Sequence, residues 1–233
     1  MITYFVRKIT TSLKVTEIIR ESPDTFTFKF KALDNIKWKP GSHTHFMSSN
    51  LRKGNKLNIR LMRKLSIMTH PSENEIGFTT RIRNNSSEFK KSLYNLKIND
   101  EIRCFKPVNN FKDLNFNKPI VLISMGVGIA TFRPIVLEYL ANSTTNSFIT
   151  NINIDRVDSF IYDKEFKNFP NNIVKNCFVK NRDDLYKEIK ATFSNKENIY
   201  YIVGSTDFNK AISKYLLNNQ ISKNSILFDK RKS

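Results

Sequence analysis

The spacing of hydrophobic and polar residues divides the chain near residue 115. Before that point the pattern is typical of short strands, as in Thr25–Phe30, where apolar and polar side chains alternate with a period of two. A single helix is expected from about Ser87, which can cap it, to Leu96. Strands are predicted near 13–19, 25–32, 43–48, 58–67, 76–83 and 101–105. Six short strands and one helix predict a small antiparallel β-barrel.

Beyond residue 115, strands alternate with helices. Apolar runs are found at 120–124, 148–154, 173–179, 199–203 and 225–228, and helical stretches near 129–141, 162–168, 183–193 and 206–218. This alternation predicts a parallel sheet with helices on both faces, and ligands bind beyond the carboxyl ends of such strands. We therefore expect two domains, residues 1–114 and 115–233, with no Gly-, Pro- or Ser-rich linker between them.

The clearest chemical signal lies where the first strand of the second half ends. There the apolar run Ile120–Ser124 leads into Gly126-Val127-Gly128 and then into an amphipathic helix. Glycines let the backbone turn tightly, and the N–H groups at a helix start attract an anion such as a dinucleotide pyrophosphate. The third glycine of the usual fingerprint is missing, so an ordinary tight turn also fits this pattern. A second turn, at Gly204, follows another strand and is expected at the same edge of the sheet.

An earlier segment, Arg63-Lys-Leu-Ser-Ile-Met-Thr-His-Pro71, makes the chain resemble the ferredoxin-NADP reductase family, including its small flavin reductases. In that family an Arg-x-Tyr/Phe-Ser-x-x-Ser/Thr segment holds the flavin, and a later Gly-Thr-Gly-Ile-Ala-Pro-Phe segment holds the nicotinamide dinucleotide. Four further segments follow in the family's order: Lys39–Phe46, Ser87–Ile102, Ile154–Phe166 and Tyr200–Thr206. The resemblance implies an FAD-binding β-barrel domain over 1–114 and a Rossmann-like, NAD(P)-binding α/β domain over 115–233.

The resemblance assigns residues of the first domain to FAD. Arg63 would contact the flavin phosphates or ribityl chain, and Ser66 would lie on the N5 side of the ring. Leu65 stands where an aromatic residue usually stacks, which implies a modest flavin affinity. Lys90 would face the flavin pyrophosphate, although Lys90 and Lys91 also fit an exposed helix face. The other residues expected beside the flavin are Lys64, Thr69, Thr80, Arg81 and Ile82.

For the dinucleotide, Arg156 is the candidate for the adenosine end, where a guanidinium would hold a 2′-phosphate and favour NADPH over NADH. Asp155 would repel that phosphate, and the two residues fit equally an ion pair on a loop. The residues that the resemblance places at the dinucleotide are Gly126, Val127, Gly128, Ile129, Thr131, Arg156 and Gly204.

Several positions depart from the family's pattern. Val127 and Thr131 replace the usual Thr and Pro, and Val203 replaces the cysteine that usually touches the nicotinamide. Asp229 is the only acid near the place of the family's terminal Glu. Ser66 and Asp229 are therefore the expected catalytic residues, which would stabilise the N5 side of the flavin and relay a proton.

The charge has two interpretations. The chain has 39 Lys and Arg against 21 Asp and Glu, a formal net charge of +18. Because Lys, Asn and Ile are abundant throughout, the charge can reflect composition alone; it can also attract an acidic partner such as a ferredoxin or flavodoxin. Nucleic acid is not expected as a partner, since the lysines are dispersed and no helix-turn-helix, zinc-finger or RNA-binding aromatic motif is found.

Other classes of site are not expected. Cys104 and Cys177 lie far apart in the sequence, which favours buried thiols in a reducing compartment over a disulfide or an iron–sulfur cluster. No His/Cys cluster has metal-ligand spacing, and His43 and His45 fit structural or surface roles. The longest apolar run, near 120–132, is too short for a bilayer, and the first residues lack an apolar signal region. We expect a cytoplasmic protein with no membrane partner.

The sequence thus predicts an FAD-dependent NAD(P)H oxidoreductase. Hydride would pass from nicotinamide to flavin N5, and electrons would pass to a ferredoxin, a flavodoxin or a similar acceptor. The departures at Val127, Thr131 and Val203 favour an alternative, a non-catalytic flavin-binding electron-transfer subunit of a larger redox complex. A third alternative is a basic nucleic-acid binder, which would be colourless and would bind DNA in a salt-dependent way.

Overall fold

The structure is a computed structural model that describes residues 9–49, 52–53, 56–109, 111, 114–142, 147–156 and 160–229. Residues 157–159, in the middle of the predicted adenosine segment, lie outside the described residues. The chain forms two compact units, Met1–Asn109 and Asn110–Ser233.

The first unit is an antiparallel sheet with one short helix. Its described elements are β1 (Thr10–Ser22), β2 (Thr25–Ala32), β3 (Ser42–Ser48), β4 (Arg52–Lys53), β5 (Lys56–Leu57), β6 (Met62–Ser66), β7 (Ile76–Arg81), α1 (Glu88–Ser92), β8 (Glu101–Phe105) and β9 (Val108–Asn109). The strand order is β6-β3-β8-β1-β2-β7, with β9 paired to β3, while β4 and β5 pair with each other. The sheet is barrel-like but does not close between β6 and β7. There the Met68 N–H donates to the Gly77 carbonyl at 2.8 Å. The predicted architecture is confirmed.

Aromatic side chains fill the core of this unit. Phe28, Phe30 and Phe46 surround Phe78, with ring centroids 4.5 to 5.5 Å from that of Phe78, and all four rings are buried. The alternation along β2 places Phe28 and Phe30 in the core. Lys29, between them, is half-buried and pairs with a glutamate of β1 on the other face.

Several predicted elements have different bounds, among them the strand expected near 13–19, which runs over Thr10–Ser22. The strand expected over 58–67 begins only at Met62, because Asn58 accepts a hydrogen bond from the Arg60 N–H and starts a 3-10 turn over Ile59–Leu61. The helix expected over 87–96 is α-helical over α1 and then continues as a 3-10 turn to Asn95. Its predicted cap is present, since the Ser87 hydroxyl accepts from the Lys90 N–H at 3.4 Å.

The second unit is a five-stranded sheet whose paired strands are all parallel. Its described elements are β10 (Ile120–Met125), α2 (Ile129–Ala141), β11 (Ile149–Ile154), α3 (Asp163–Lys167), β12 (Val174–Val179), α4 (Arg182–Ala191), β13 (Ile199–Val203), α5 (Thr206–Asn218) and β14 (Ile226–Phe228). The strand order β12-β11-β10-β13-β14 places β10 in the centre. Among the described residues of the whole chain, no helix is long and apolar enough to cross a membrane.

Helices cover both faces of this sheet, as predicted. Leu122 belongs to a core shared with α2 and α3, whereas its neighbours Val121 and Ile123 belong to a second core shared with α4 and α5. The chain leaves β10 on one side toward β11 and returns on the other side at β13. The carboxyl ends of β10 and β13 therefore form the switch point at which ligands bind in such sheets.

Candidate functional site

The first unit contains a pocket lined mainly by cations, which we call the basic pocket. It has a volume of about 300 Å³ and is lined by Arg63, Arg81, Arg83, Asn85, Ser86, Ser87 and Lys90. Three of these residues, Arg63, Arg81 and Lys90, are among the predicted flavin contacts. The structure therefore brings together residues that are up to 27 positions apart in the sequence (63 to 90). An anion is the ligand that such a pocket favours.

The end of β7 and the turn behind it shape the basic pocket. Along β7, Thr80 is fully buried on one face, and the next residue, Arg81, points the other way and is only partly exposed. The Arg83 N–H then donates to the Ser86 hydroxyl at 2.8 Å, which holds the turn before α1. Lys90 is folded back from α1, and its ammonium donates to the Arg81 carbonyl at 3.1 Å. Lys90 thus lies over the pocket and is only half-exposed.

Asp24 fixes two of the arginines. Its carboxylate lies 3.4 Å from Arg81 Nε and 2.7 Å from Arg83 Nε. Partial burial raises the pKa of Asp24, but the hydrogen bonds from Arg83 and Thr25 and the charges of both arginines outweigh this, so the pKa falls below its ordinary value. Arg63 makes no ion pair with any described residue. The pocket therefore keeps a net positive charge.

The other residues of the predicted flavin segment lie along β6. Ser66 is buried and pairs in register with His43 of β3. Leu65 is half-buried and packs against the core of the first unit. Lys64 pairs with His45, and burial, followed by the Lys64 charge, lowers the pKa of that histidine. None of these side chains lines the basic pocket.

Three further residues predicted to contact the flavin have side chains that are buried inside the first unit. Thr69 is completely buried, and its hydroxyl accepts from the Gly77 N–H at 3.1 Å. Thr80 and Ile82 are also buried, each with 1% of its surface exposed. The Ile82 N–H donates to the Asp24 carbonyl at 2.6 Å. These residues are buried within the first unit and do not line the basic pocket, and direct contact with a flavin stays a prediction for them.

In the second unit, the glycine turn joins β10 to α2. Gly126 has a φ of +56°, which a side chain would strain, and Gly126–Gly128 forms a 3-10 turn that runs into α2 at Ile129. Gly128 is required for a different reason, because a Cβ there would lie 2.7 Å from the Val203 carbonyl oxygen at the end of β13. No side chain caps the start of α2. The N–H of Ile129 already donates to the carbonyls of Gly126 and Val127, so an anion here would be held by other N–H groups of the turn and of the first turn of α2.

Asn153, at the end of β11, holds this turn and was not predicted from the sequence. It is 1% exposed, and its Nδ2 donates to Ser124 Oγ at 2.8 Å and to the Gly126 carbonyl at 3.2 Å. Asn151 is equally buried two residues earlier. Buried parallel strands are normally continuous apolar runs, so two amides in Thr-Asn-Ile-Asn-Ile were the available signal.

The remaining predicted dinucleotide residues lie around the same edge. Val127 is half-buried against the core beneath α2, Ile129 belongs to that core, and Thr131 is buried two residues later. Gly204 follows β13, where a Cβ would lie 2.4 Å from the ring of Phe208. The two glycine turns therefore follow neighbouring strands, as predicted.

Arg156 lies just beyond β11 and is exposed. The carboxylate of Asp155 accepts from the backbone N–H of Arg156 at 2.8 Å. The Asp155 N–H in turn donates to the Val179 carbonyl of β12 at 3.1 Å. The hydrogen bond between the two residues therefore involves the Arg156 backbone, and the Arg156 side chain is exposed.

A partly buried ion pair near the glycine turn was also not predicted from the sequence. Arg133 of α2 donates to both carboxylate oxygens of Glu165 in α3, each at 2.7 Å, and only 10% of the arginine side chain is exposed. Its guanidinium also lies 5.8 Å from the centre of the Tyr162 ring. This bidentate pair fastens the segment that follows β11 to the helix of the glycine turn.

Asp229, the second predicted catalytic residue, directly follows β14 and is buried. Among the described residues no cluster of three or more His, Cys, Asp or Glu could hold a metal ion. Cys104 and Cys177 are free, buried thiols. Burial raises the pKa of both to about 12, and in Cys177 a hydrogen bond to Glu188 adds to the effect.

Comparison with known proteins gives matches only at the level of structure. No protein-family model matches the chain, and no curated protein does. A ferredoxin-NADP⁺ reductase from Plasmodium falciparum, solved with 2′P-AMP, has a TM-score of 0.77 at 19% identity, over 93% of this chain and 94% of the reductase. A flavohemoglobin from Malassezia yamatoensis, solved with FAD and heme, has a TM-score of 0.78 at 13% identity, over 95% of this chain.

The chain spans 60% of the length of that flavohemoglobin. The CS-b5R domains of human Ncb5or, in an NAD⁺ form, have a TM-score of 0.74 at 14% identity, over 94% of this chain and 69% of the human one. Three proteins with different names thus share one architecture with this chain. At these identities the similarity establishes the fold.

Proposed function

We propose, from the premise that this chain has the ferredoxin-NADP reductase fold, that it is an FAD-dependent NAD(P)H oxidoreductase. The observation that carries the proposal is the basic pocket. Arg63, Arg81 and Lys90 were assigned to the flavin by their positions in the sequence, and they line one pocket in the structure. A bound FAD would supply the hydride-accepting and electron-passing chemistry.

The basic pocket fits the diphosphate of FAD in charge and in size. Its volume of about 300 Å³ suits a diphosphate with its adjoining groups rather than a complete dinucleotide. Arg63, which has no ion pair among the described residues, would neutralise one phosphate, and Lys90 would neutralise the other as a point charge. Arg81 would contribute less, because Asp24 already lies 3.4 Å from its Nε.

For the reacting end of the flavin we propose two residues of β6. Ser66 would hydrogen-bond the N5 side, and its burial would make that bond stronger than one in water. Leu65 would supply apolar contact to the ring in place of aromatic stacking. Lys64 and Thr80 would support the flavin from strands β6 and β7, and Thr69 and Ile82 from the segments that directly follow these strands.

We propose that the glycine turn and the start of α2 hold the pyrophosphate of NADPH or NADH. The residues assigned to this role are Gly126, Val127, Gly128, Ile129, Thr131 and Gly204. Arg156 would bind the 2′-phosphate of NADPH, since its guanidinium is exposed and Asp155 is already bonded to the backbone. Asp229 would relay a proton from the C-terminal end of the sheet.

The acceptor that we propose is a small acidic electron-transfer protein, a ferredoxin or a flavodoxin. The formal charge of +18 supports this, because a strong positive field speeds association with an acidic protein. Attraction of this kind would weaken as the salt concentration rises, since charges are screened over about 8 Å at physiological ionic strength.

The test is an anaerobic titration of the FAD-reconstituted protein with NADPH and, separately, with NADH, followed by the visible absorbance of the flavin. Bleaching by either donor supports the reductase and identifies its preferred donor. The Arg63→Ala variant should bind FAD about tenfold more weakly, which is the effect of losing one charge-assisted contact. Arg60→Ala is the matched control, because Arg60 is an exposed arginine that pairs with Glu88 outside the pocket lining. Failure of the wild-type chain to bind FAD would refute the proposal.

A second candidate is a flavin-binding electron-transfer subunit without a dinucleotide reaction. It is favoured by Val203, whose side chain is buried in the core where the family's cysteine usually touches the nicotinamide. The same titration separates the two functions. If FAD binds but neither donor bleaches it, the subunit is the better assignment.

A further inference from the structure

We propose that Asn153 is a positioning residue for dinucleotide binding. Its side chain would orient the peptide group that joins Gly126 to Val127. This inference rests on the proposed binding of NADPH or NADH at the glycine turn. It concerns a residue that sequence analysis did not identify, and it depends on the hydrogen bonds that Asn153 donates at the carboxyl end of β10.

The first step is the geometry of the contact. Asn153 pairs in register with Ser124 across the parallel strands β10 and β11. Its Nδ2 reaches past the end of β10 and donates to Ser124 Oγ at 2.8 Å and to the Gly126 carbonyl at 3.2 Å. Both bonds are buried, so water does not compete for them.

The second step follows from the planarity of the peptide group. The described chain contains no cis peptide bond, so the carbonyl of Gly126 and the N–H of Val127 point in opposite directions. The Gly126 carbonyl accepts from Asn153 on the sheet side and also from the N–H of Ile129 as α2 begins. The N–H of Val127 is thereby turned away from Asn153. A glycine with a φ of +56° has many alternative conformations, and the amide of Asn153 selects this one.

The third step separates positioning from mere packing. Asn151 lies on the same strand and, by the alternation of side chains, on the same face, and it is also fully buried. Its Nδ2 donates to Asn176 of β12 at 3.1 Å, and no described bond joins it to the glycine turn. Asn151 and Asn153 are thus matched in residue type, strand and burial, and they differ in what they hold.

The experiment compares Asn153→Leu with Asn151→Leu in the full chain reconstituted with FAD. Calorimetric titration with NADP⁺ gives Kd without turnover, and steady-state assays give KM and kcat for the preferred donor. We expect Asn153→Leu to raise Kd and KM about tenfold, while kcat at saturating donor stays within about twofold of wild type. Asn151→Leu should leave Kd and KM within about twofold, even where its Tm falls.

Each other outcome counts against the proposal. If Asn153→Leu leaves Kd unchanged, or if both variants raise it equally, Asn153 has only a structural role. If Asn153→Leu does not fold, Asn153→Thr decides by the same criterion, because threonine keeps a polar group but lacks the Nδ2 that donates to both Ser124 and Gly126. Should the wild-type chain bind neither NADP⁺ nor NADH, the proposed function itself fails and this inference with it. Binding by wild type with unchanged binding by the variant removes the inference alone.

Discussion

Replacing Gly128 with alanine adds one methyl group at the point where the glycine turn meets the end of β13. The new Cβ would lie 2.7 Å from the carbonyl oxygen of Val203 and 3.2 Å from its Cγ1. The carbonyl belongs to a hydrogen-bonded strand, so it cannot rotate away as a side chain can. The φ of Gly128 is −59°, which alanine adopts freely. The loss of stability therefore comes entirely from the steric clash of the new Cβ with Val203.

The expected change in the free energy of unfolding combines two opposing effects. Overpacking of a well-packed site costs about 1–3 kcal/mol, and the strand must shift by several tenths of an ångström to relieve the contact. Alanine recovers roughly 0.4–1 kcal/mol, since it loses less conformational entropy than glycine on folding. We expect a net loss of about 1–2 kcal/mol, equivalent to a fall in Tm of roughly 4–8 °C for the unfolding of the second unit.

The assay is thermal unfolding followed by circular dichroism, with Gly204→Ala as the comparison. A Cβ at Gly204 would lie 2.4 Å from Cδ1 of Phe208, but this atom belongs to a half-buried side chain that can turn aside. Gly204→Ala should therefore cost less than about 1 kcal/mol. The reasoning fails if Gly128→Ala is as stable as wild type, or if Gly204→Ala is the less stable variant.

Three further predictions concern charge and thiols. Lys90→Ala should weaken FAD binding about tenfold in an equilibrium titration, while Lys91→Ala, on the same helix but outside the pocket lining, should not; equal effects would contradict the assignment of the basic pocket. Because the folded-state pKa of Asp24 is depressed, its stabilising effect is complete above the unfolded pKa of about 3.9 and is lost as the pH falls through the folded value. Urea unfolding should thus show a constant gap in stability between wild type and Asp24→Asn above about pH 5, closing below about pH 4, and a gap that persists at low pH would refute this. Cys104 and Cys177, each with a pKa raised to about 12, should resist a thiol reagent at pH 7 until the chain is unfolded, so rapid labelling of the native protein would show that they are accessible.

Local pattern was sufficient for most of the fold. The predicted ranges 129–141 and 199–203 coincide with α2 and β13, because the side-chain periodicity that defines a helix or a strand is complete within one segment. The predicted strand over 58–67 was too long, since a single side-chain bond from Asn58 starts a turn there. The predicted N-terminal end of this strand was wrong because one polar side chain hydrogen-bonds to the backbone and starts a turn.

Some residues of the candidate site were likewise predicted from the sequence, and others were found only in the structure. Arg63 and Lys90 were identified from their place in the chain, but their convergence on one pocket with Arg83 required the folded barrel. Asn153 carried almost no local signal. Its amide matters because β11 lies beside β10. Nothing in the residues between these strands specifies that Asn153 donates to Ser124 and Gly126, which are 29 and 27 positions earlier in the chain.

From the order of amino acids alone one obtains an antiparallel barrel followed by a parallel α/β unit, the strand that ends in a glycine turn, and a set of cations suited to phosphate. These features depend on periodicity, turn chemistry and residue type, which are properties of short segments. Only the tertiary structure shows three other contacts: the ion pair of Asp24 with Arg81, the hydrogen bond from Asn153 to Gly126, and the close approach of Gly128 to Val203. Each joins residues distant in the chain, and such contacts depend on strand order and register, which are set by the packing of the whole unit.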